Sequence, residues 1–106
     1  MKDYKLYDGD ICIGTFKVLG TDNVEVDLIP NLNLFNVPCD FWKGYKSGRT
    51  KFTGKEAWNF VTDRVIPSYR HGINLYLKHI GLKEYDPLEI FLHNHGRYTQ
   101  DSFRIE

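Results

Sequence analysis

Apolar and polar positions alternate from the start of the chain. Residues 4–8 follow a period of two, and Asp8-Gly9 reads as a two-residue hairpin turn whose central positions both take positive φ. A second strand is predicted from Ile11 to Val18, with Cys12, Gly14, Phe16 and Val18 on one face and Ile11 and Ile13 on the other. Gly20-Thr21-Asp22-Asn23 carries turn chemistry. Beyond it Val24, Val26 and Leu28 alternate with Glu25 and Asp27, the pattern of a half-buried third strand. Residues 1–30 therefore predict an antiparallel meander ending at Pro30.

Residues 31–52 show no regular period. Asn31, Asn33 and Asn36 are interspersed with Leu32, Leu34 and Phe35, and Pro38 intervenes, which predicts an irregular connection tucking apolar residues under the sheet. From Thr53 to Ile66 the period becomes helical. Ala57, Phe60, Val61 and Val65 share a stripe, Thr53 and Glu56 have capping-box spacing, and Pro67 stops the helix. Ser68 is placed to cap a second helix, striped by Ile73, Tyr76, Leu77 and Ile80 and closed by a left-handed Gly81. With the break confined to Ile66-Pro67-Ser68, the two helices form a tight corner. Asp86-Pro87-Leu88-Glu89 has the grammar of a third helix start, ended by Gly96, although Leu88, Ile90 and Leu92 also alternate as a strand would. Tyr98 to Ile105 is predicted to return to the sheet.

The fold class is thus α+β. A three-stranded antiparallel meander packs with a two-helix corner, a short third helix or strand, and a C-terminal strand. One domain spans 1–106, divided into the meander (1–30), an irregular basic loop (31–52) and the helical corner with the C-terminal element (53–106). At 106 residues, with 42% hydrophobic and 15% aromatic content, the chain can build one modest core without disulfides. No apolar run nears the ~18 residues of a membrane helix, and no signal peptide is recognisable, so a cytoplasmic protein is expected. Cys12 and Cys39 are then free thiols. A single alanine, Ala57, beside nine Lys, eight Ile and seven Asn hints at AT-rich coding, as in some bacteria and their phages.

The formal net charge is zero, which excludes a strongly basic nucleic-acid coat and an acidic DNA mimic. Resolved along the chain, it is −4 over residues 1–42, +5 over 43–55 and −1 over 56–106. The positive window holds Lys43, Lys46, Arg49, Lys51 and Lys55 without one acid, and Trp42, Tyr45 and Phe52 interleave with them. Cations track phosphates and aromatic faces stack on bases, so Trp42, Lys43, Tyr45, Lys46, Arg49, Lys51 and Lys55 are the candidate partner- or anion-binding residues. A solvated loop whose cations pair with the acidic meander is the plain alternative.

Other chemistry is sparse. His93 and His95 share a face only on a strand, and no third ligand stands at metal spacing, so no metal or cofactor is expected. Ser47, Ser68 and Ser102 lie outside any nucleophile-elbow context, and no phosphate-cradling glycine motif occurs. His79 suits the C-terminal dipole of the second helix, as Arg64 suits that of the first. Arg70 falls in the first turn of a helix, where a cation needs a partner. An internal ion pair to Asp63, Asp101 or Glu106 is expected to hold the corner.

The run Thr62-Asp63-Arg64-Val65-Ile66-Pro67-Ser68-Tyr69-Arg70, followed by Gly96, Asp101, Phe103 and Ile105, resembles a segment of HipA-like kinase-domain proteins. In some Gram-positive members it precedes the kinase core. The resemblance covers most of residues 53–106 and loosely the meander, and it marks Arg64, Pro67, Arg70, Gly96 and Asp101 as the structural motif. The paired aromatic that the family carries before the arginine is here Phe60-Val61, and no kinase core follows within the sequence. The resemblance implies a non-catalytic accessory module from the toxin–antitoxin world of bacteria and their mobile elements. The expected function is recognition of a protein partner, as an antitoxin-like regulator or a phage-encoded inhibitor of host defence. Nucleic-acid binding through residues 42–55 is the alternative, and a small enzyme of unrecognised chemistry the third reading.

Overall fold

A computed structural model describes residues 2–106. The alternating N-terminal pattern produces β1 (Lys2–Asp8), β2 (Ile11–Gly20) and β3 (Asn23–Leu28). Two short strands, β4 (Lys51–Phe52) and β5 (Phe103–Ile105), extend the sheet at its two edges. All neighbours are antiparallel, in the order β4-β3-β2-β1-β5. The helices are α1 (Trp42–Lys46), α2 (Gly54–Thr62), α3 (Ile73–His79) and α4 (Pro87–His93). The architecture is α+β, as the sequence pattern predicts.

The meander departs from its expected form in two places. The first turn has Gly9 and Asp10 at its centre, between the paired residues Asp8 and Ile11. Of these two, only Gly9 has positive φ, at 59°. The register then slips: Leu6 pairs with Gly14 but Tyr7 pairs with Cys12, leaving Ile13 as an extra residue. Such a bulge reverses the facing of the residues before it. Cys12 is therefore exposed and Ile13 buried, the opposite of the simple alternation. Gly14 is needed for a different reason: a Cβ there would overlap the Asp27 carbonyl of β3.

One face of the sheet is apolar. Leu6, Phe16, Val24, Val26, Leu28 and Ile105 pack there against Ala57, Phe60 and Val61 of α2 and Leu88 and Phe91 of α4. Five phenylalanines form a continuous row through this core. Phe16 meets Phe91 at 4.9 Å, Phe91 meets Phe60 at 5.9 Å, Phe60 meets Phe41 at 5.3 Å, and Phe41 meets Phe52 at 4.6 Å between ring centroids. The opposite face carries the polar cross-strand rows Lys5-Thr15-Asp27-Lys51 and Asp3-Lys17-Glu25.

Residues 31–52 are more ordered than an irregular loop. Two 3₁₀ turns (Leu34–Asn36 and Cys39–Phe41), α1 and β4 occupy most of the stretch. Asn33 caps the first turn through Phe35 N, and Asn36 Nδ2 donates to Asp8 Oδ2 at 2.9 Å.

The helical region is also rearranged. α2 ends at Thr62 rather than Ile66, and α3 begins at Ile73 behind a left-handed Gly72 rather than at a Ser68 cap. Residues 63–72 form turns, so the tight corner becomes a ten-residue connection. Pro67 explains the early stop: its ring clashes with the carbonyl four residues back and disfavours α geometry at Ile66. Thr53 makes no side-chain cap bond, and the Glu56 carboxylate that would complete the capping box accepts from Arg49 instead. Asp86, by contrast, caps α4 through Glu89 N with Pro87 behind it, which settles helix over strand. Gly81 follows α3 at φ 85°. The C-terminal strand is three residues long, shorter than Tyr98 to Ile105.

α3 stands outside the main core. Leu77 is buried but does not join the phenylalanine cluster, and Leu75 is largely exposed. Two tyrosine hydroxyls tie this region down. Tyr76 Oη accepts from Asn94 Nδ2 at 3.2 Å, and Tyr85 Oη donates to the Ile66 carbonyl at 2.7 Å.

Candidate functional site

The basic segment is partly consumed by the fold. Tyr45 Oη, 2.7 Å from the Ile29 carbonyl, donates to it and accepts from Leu32 N, pinning the connection to β3. Trp42 Nε1 donates to the Val37 carbonyl at 2.6 Å, and Phe41 and Phe52 are fully buried. Arg49 forks onto Glu56 with two 2.9 Å bonds, and its guanidinium lies 4.8 Å from the Phe52 ring centroid. The Glu56 carboxylate holds the Arg49 pKa above its ordinary value, and Arg49 holds that of Glu56 below. Gly44 makes room for this arrangement, since a Cβ there would meet the Arg49 guanidinium. Lys43, Lys46, Lys51 and Lys55 remain exposed, with no ion pair among the described residues. Lys51 lies opposite Asp27 in the sheet register, whereas Lys55 lies in the first turn of α2, so the positive window is divided among elements.

The expected internal ion pair exists, but on the other arginine. Arg64, only 8% exposed, donates from Nε to the Gly96 carbonyl at 2.9 Å. Its Nη1 and Nη2 reach the two Asp101 carboxylate oxygens at 2.6 and 2.8 Å, and Nη2 also reaches the Phe103 carbonyl at 3.0 Å. Its guanidinium lies within 5.8 Å of the ring centroids of Phe60, Tyr98 and Phe103. A planar fork of donors suits this convergence in a way an ammonium cannot. Arg64, Gly96 and Asp101 of the sequence motif are thereby joined. Arg70 is not: it is exposed and takes none of the acceptors Asp63, Asp101 or Glu106.

Arg70 instead lines an open groove. One wall is the connection after α2, and the other is the loop after α4. Half-buried Val65, Ile66 and Pro67 are its apolar lining. Tyr69, at 88% exposure, and Tyr98, at 38%, also line it, with Arg70 and Arg97 as cations and Asp63 as the one acid. Neither Arg70 nor Arg97 belongs to an ion pair among the described residues. Sequence reasoning missed Tyr69, Arg97 and Tyr98 as site residues. Their one local signal is an Arg/Tyr pair beside each of the two chain-turning residues, Pro67 and Gly96.

A pair of carboxylates closes the α2 end of this region. Burial pushes the Asp40 pKa up to about 6, the facing Asp63 carboxyl adds to the rise, and Arg64 opposes it. The two residues are 23 positions apart, so no local pattern could have announced them. Cys12 and Cys39 are exposed thiols, and no group of three metal-ligating side chains assembles among the described residues. No helix among the described residues is long and apolar enough to cross a membrane. No family model, curated protein or solved structure matches the chain.

Proposed function

We propose that the chain is a protein-interaction module that regulates or inhibits a protein partner through the groove between residues 62–70 and 94–99. The observation that carries this reading is the exposure of Tyr69 and Tyr98 in one groove with Arg70, Arg97 and the apolar residues Val65, Ile66 and Pro67. Tyrosine and arginine are the residues over-represented where protein interfaces concentrate their energy. A tyrosine ring left 88% in solvent has no packing role in the chain itself. The Arg64 clamp holds both walls, so the groove is organised before a partner arrives, which lowers the ordering cost of association. The resemblance of residues 62–70 and 96–105 to the segment ahead of a HipA-like kinase core supports an antitoxin-like or phage-encoded inhibitory role.

The test is capture of a stoichiometric partner from a bacterial lysate, followed by reconstitution from purified proteins. Tyr69→Ala and Arg97→Ala are expected to weaken the purified complex at least tenfold each, and Lys51→Ala to leave it unchanged. A complex indifferent to both groove variants removes this reading.

Nucleic-acid binding through Lys43, Lys46, Lys51 and Lys55 is the second reading, favoured by their lack of ion-pair partners among the described residues. It requires a mobility shift on single-stranded DNA at low salt that fades steeply as salt is added.

A further inference from the structure

A second cleft, of about 550 Å³, opens between the β2–β3 turn, α2 and the start of α4. That volume lies in the range of small-ligand sites. The cleft shares no lining residue with the groove between residues 62–70 and 94–99. Three carboxylates line it: Asp22 from the β2–β3 turn, and Asp86 and Glu89 from the start of α4. None of them belongs to an ion pair among the described residues. No Lys, Arg or His belongs to the lining among those residues. Lys2 pairs in the sheet register with Val18 of the lining, but its Nζ lies 5.9 Å from the Tyr4 ring centroid. The lining therefore carries charge of one sign, and the complementary ligand is a cation.

The carboxylates do not converge as metal ligands. No group of three metal-ligating side chains assembles among the described residues. Hard divalent cations need at least six oxygen ligands close around one point. The rest of the lining is aromatic and apolar. Trp58 and Val18 are half-buried and pack against the core. Tyr85 is held by its 2.7 Å bond from Oη to the Ile66 carbonyl. Both rings are thus fixed by the fold before a ligand arrives. Asp86 Oδ1 accepts from Glu89 N, so part of the acidic charge serves the start of α4. Asp22 and the two rings, on other elements, lie outside that cap.

We propose that this cleft binds an organic cation with an apolar shell, a trimethylammonium group, against Trp58 and Tyr85 in the field of Asp22, Asp86 and Glu89. Aromatic rings attract cations through their quadrupole, and quaternary ammonium groups are recognised in this way. A bare ammonium is a strongly hydrated point charge and loses more on leaving water. The site goes beyond the groove, and its test does not depend on the groove's role.

Proton–nitrogen NMR of the full chain reads the site directly. The chain has two tryptophans, Trp42 and Trp58, so two indole signals appear, and Trp42→Phe assigns them. Choline is expected to shift the Trp58 signal saturably and to leave that of Trp42 in place. Its uncharged analogue, with a tert-butyl group in place of trimethylammonium, and Asp22→Asn/Glu89→Gln with choline should each bind at least tenfold more weakly. Asp22 and Glu89 are exposed, and Asn tolerates the left-handed conformation of Asp22, at φ 53°, so the variant is expected to keep the parent's spectrum elsewhere.

A trimethyllysine peptide separates the two sources of such a group. Tighter binding of the peptide than of choline assigns it to a partner's side chain, and the reverse to a free small molecule. An equal shift with the uncharged analogue, no saturable shift of Trp58 with either cation, or parental affinity in Asp22→Asn/Glu89→Gln overturns the proposal.

Discussion

Replacing Arg64 by Leu removes the centre of the C-terminal half. The wild-type guanidinium makes four hydrogen bonds from a position 8% exposed. Leucine fills some of the volume and satisfies none of the acceptors. The Gly96 and Phe103 carbonyls lose their side-chain donor. Asp101, whose side chain is 30% exposed, can turn toward water, which lowers its share of the cost. Leaving one partner of a buried pair unmatched costs about 3–5 kcal/mol, and the partial exposure of Asp101 places this case near 3. For a domain of this size that corresponds to a fall in thermal midpoint of more than about 12 °C. Urea unfolding followed by circular dichroism measures the loss as a shift in midpoint at constant slope. Arg64→Lys keeps the charge but not the fork, and is expected to lose about half as much. A double-mutant cycle with Asp101→Asn should give a coupling of roughly 1–3 kcal/mol. A loss below about 1 kcal/mol for Arg64→Leu, or additivity of the two changes, refutes the clamp as a stabilising device.

Three further outcomes are expected. The folded Asp40 pKa lies above its ordinary value, so the stability it contributes is full below about pH 4 and disappears as pH rises through about 6. The rise from 3.8 to about 6 sets a ceiling near 3 kcal/mol, and partial exposure reduces this to about 1–2 kcal/mol gained by Asp40→Asn at pH 7. Parallel pH–stability curves for the two proteins would contradict this. Gly14→Ala should cost more than about 2 kcal/mol, because the new methyl overlaps the Asp27 carbonyl; an unchanged melting temperature would count against the tight β2–β3 approach. Tyr45→Phe should cost about 1–2 kcal/mol by leaving the Ile29 carbonyl and Leu32 N without their hydroxyl partner, while Lys46→Ala changes stability by less than about 0.5.

Local rules reached the meander, because period-two alternation and turn residues both act over a few positions. Val24, Val26 and Leu28 point inward as their spacing requires. The bulge at Ile13 was not legible, since it depends on how β2 registers against Tyr7 of β1. Val65 misled the helix boundary. It lies four residues after Val61 and packs on the core, but from the turn after α2 rather than from a further helical turn. The motif residues Arg64, Gly96 and Asp101 are legible as a set, but the ion pair the sequence predicts at Arg70 forms at Arg64. A helix-dipole argument, worth about 0.3–1 kcal/mol, pointed to Arg70, and a buried bidentate pair outweighs it. Trp42 keeps an exposed ring and Tyr45 is half-buried, and the polar atoms of both serve backbone groups of the connection, which spacing along the chain does not reveal. The Arg70–Arg97 groove depends on two segments meeting across α3 and α4, which no local pattern encodes.

The phenylalanine row has a consequence for how the molecule opens. Phe16, Phe41, Phe52, Phe60 and Phe91 link the meander, the connection, α2 and α4 into one contact chain, while residues 63–85 lie beside it. Amide protons in the row's elements should exchange only when the whole chain unfolds. Those of α3 should exchange through smaller openings that release the Tyr76 and Tyr85 ties. One wall of the groove is drawn from that less protected tier. A partner seated there would slow exchange in residues 66–80 far more than in β2, giving a map of occupancy that needs no knowledge of the partner's identity.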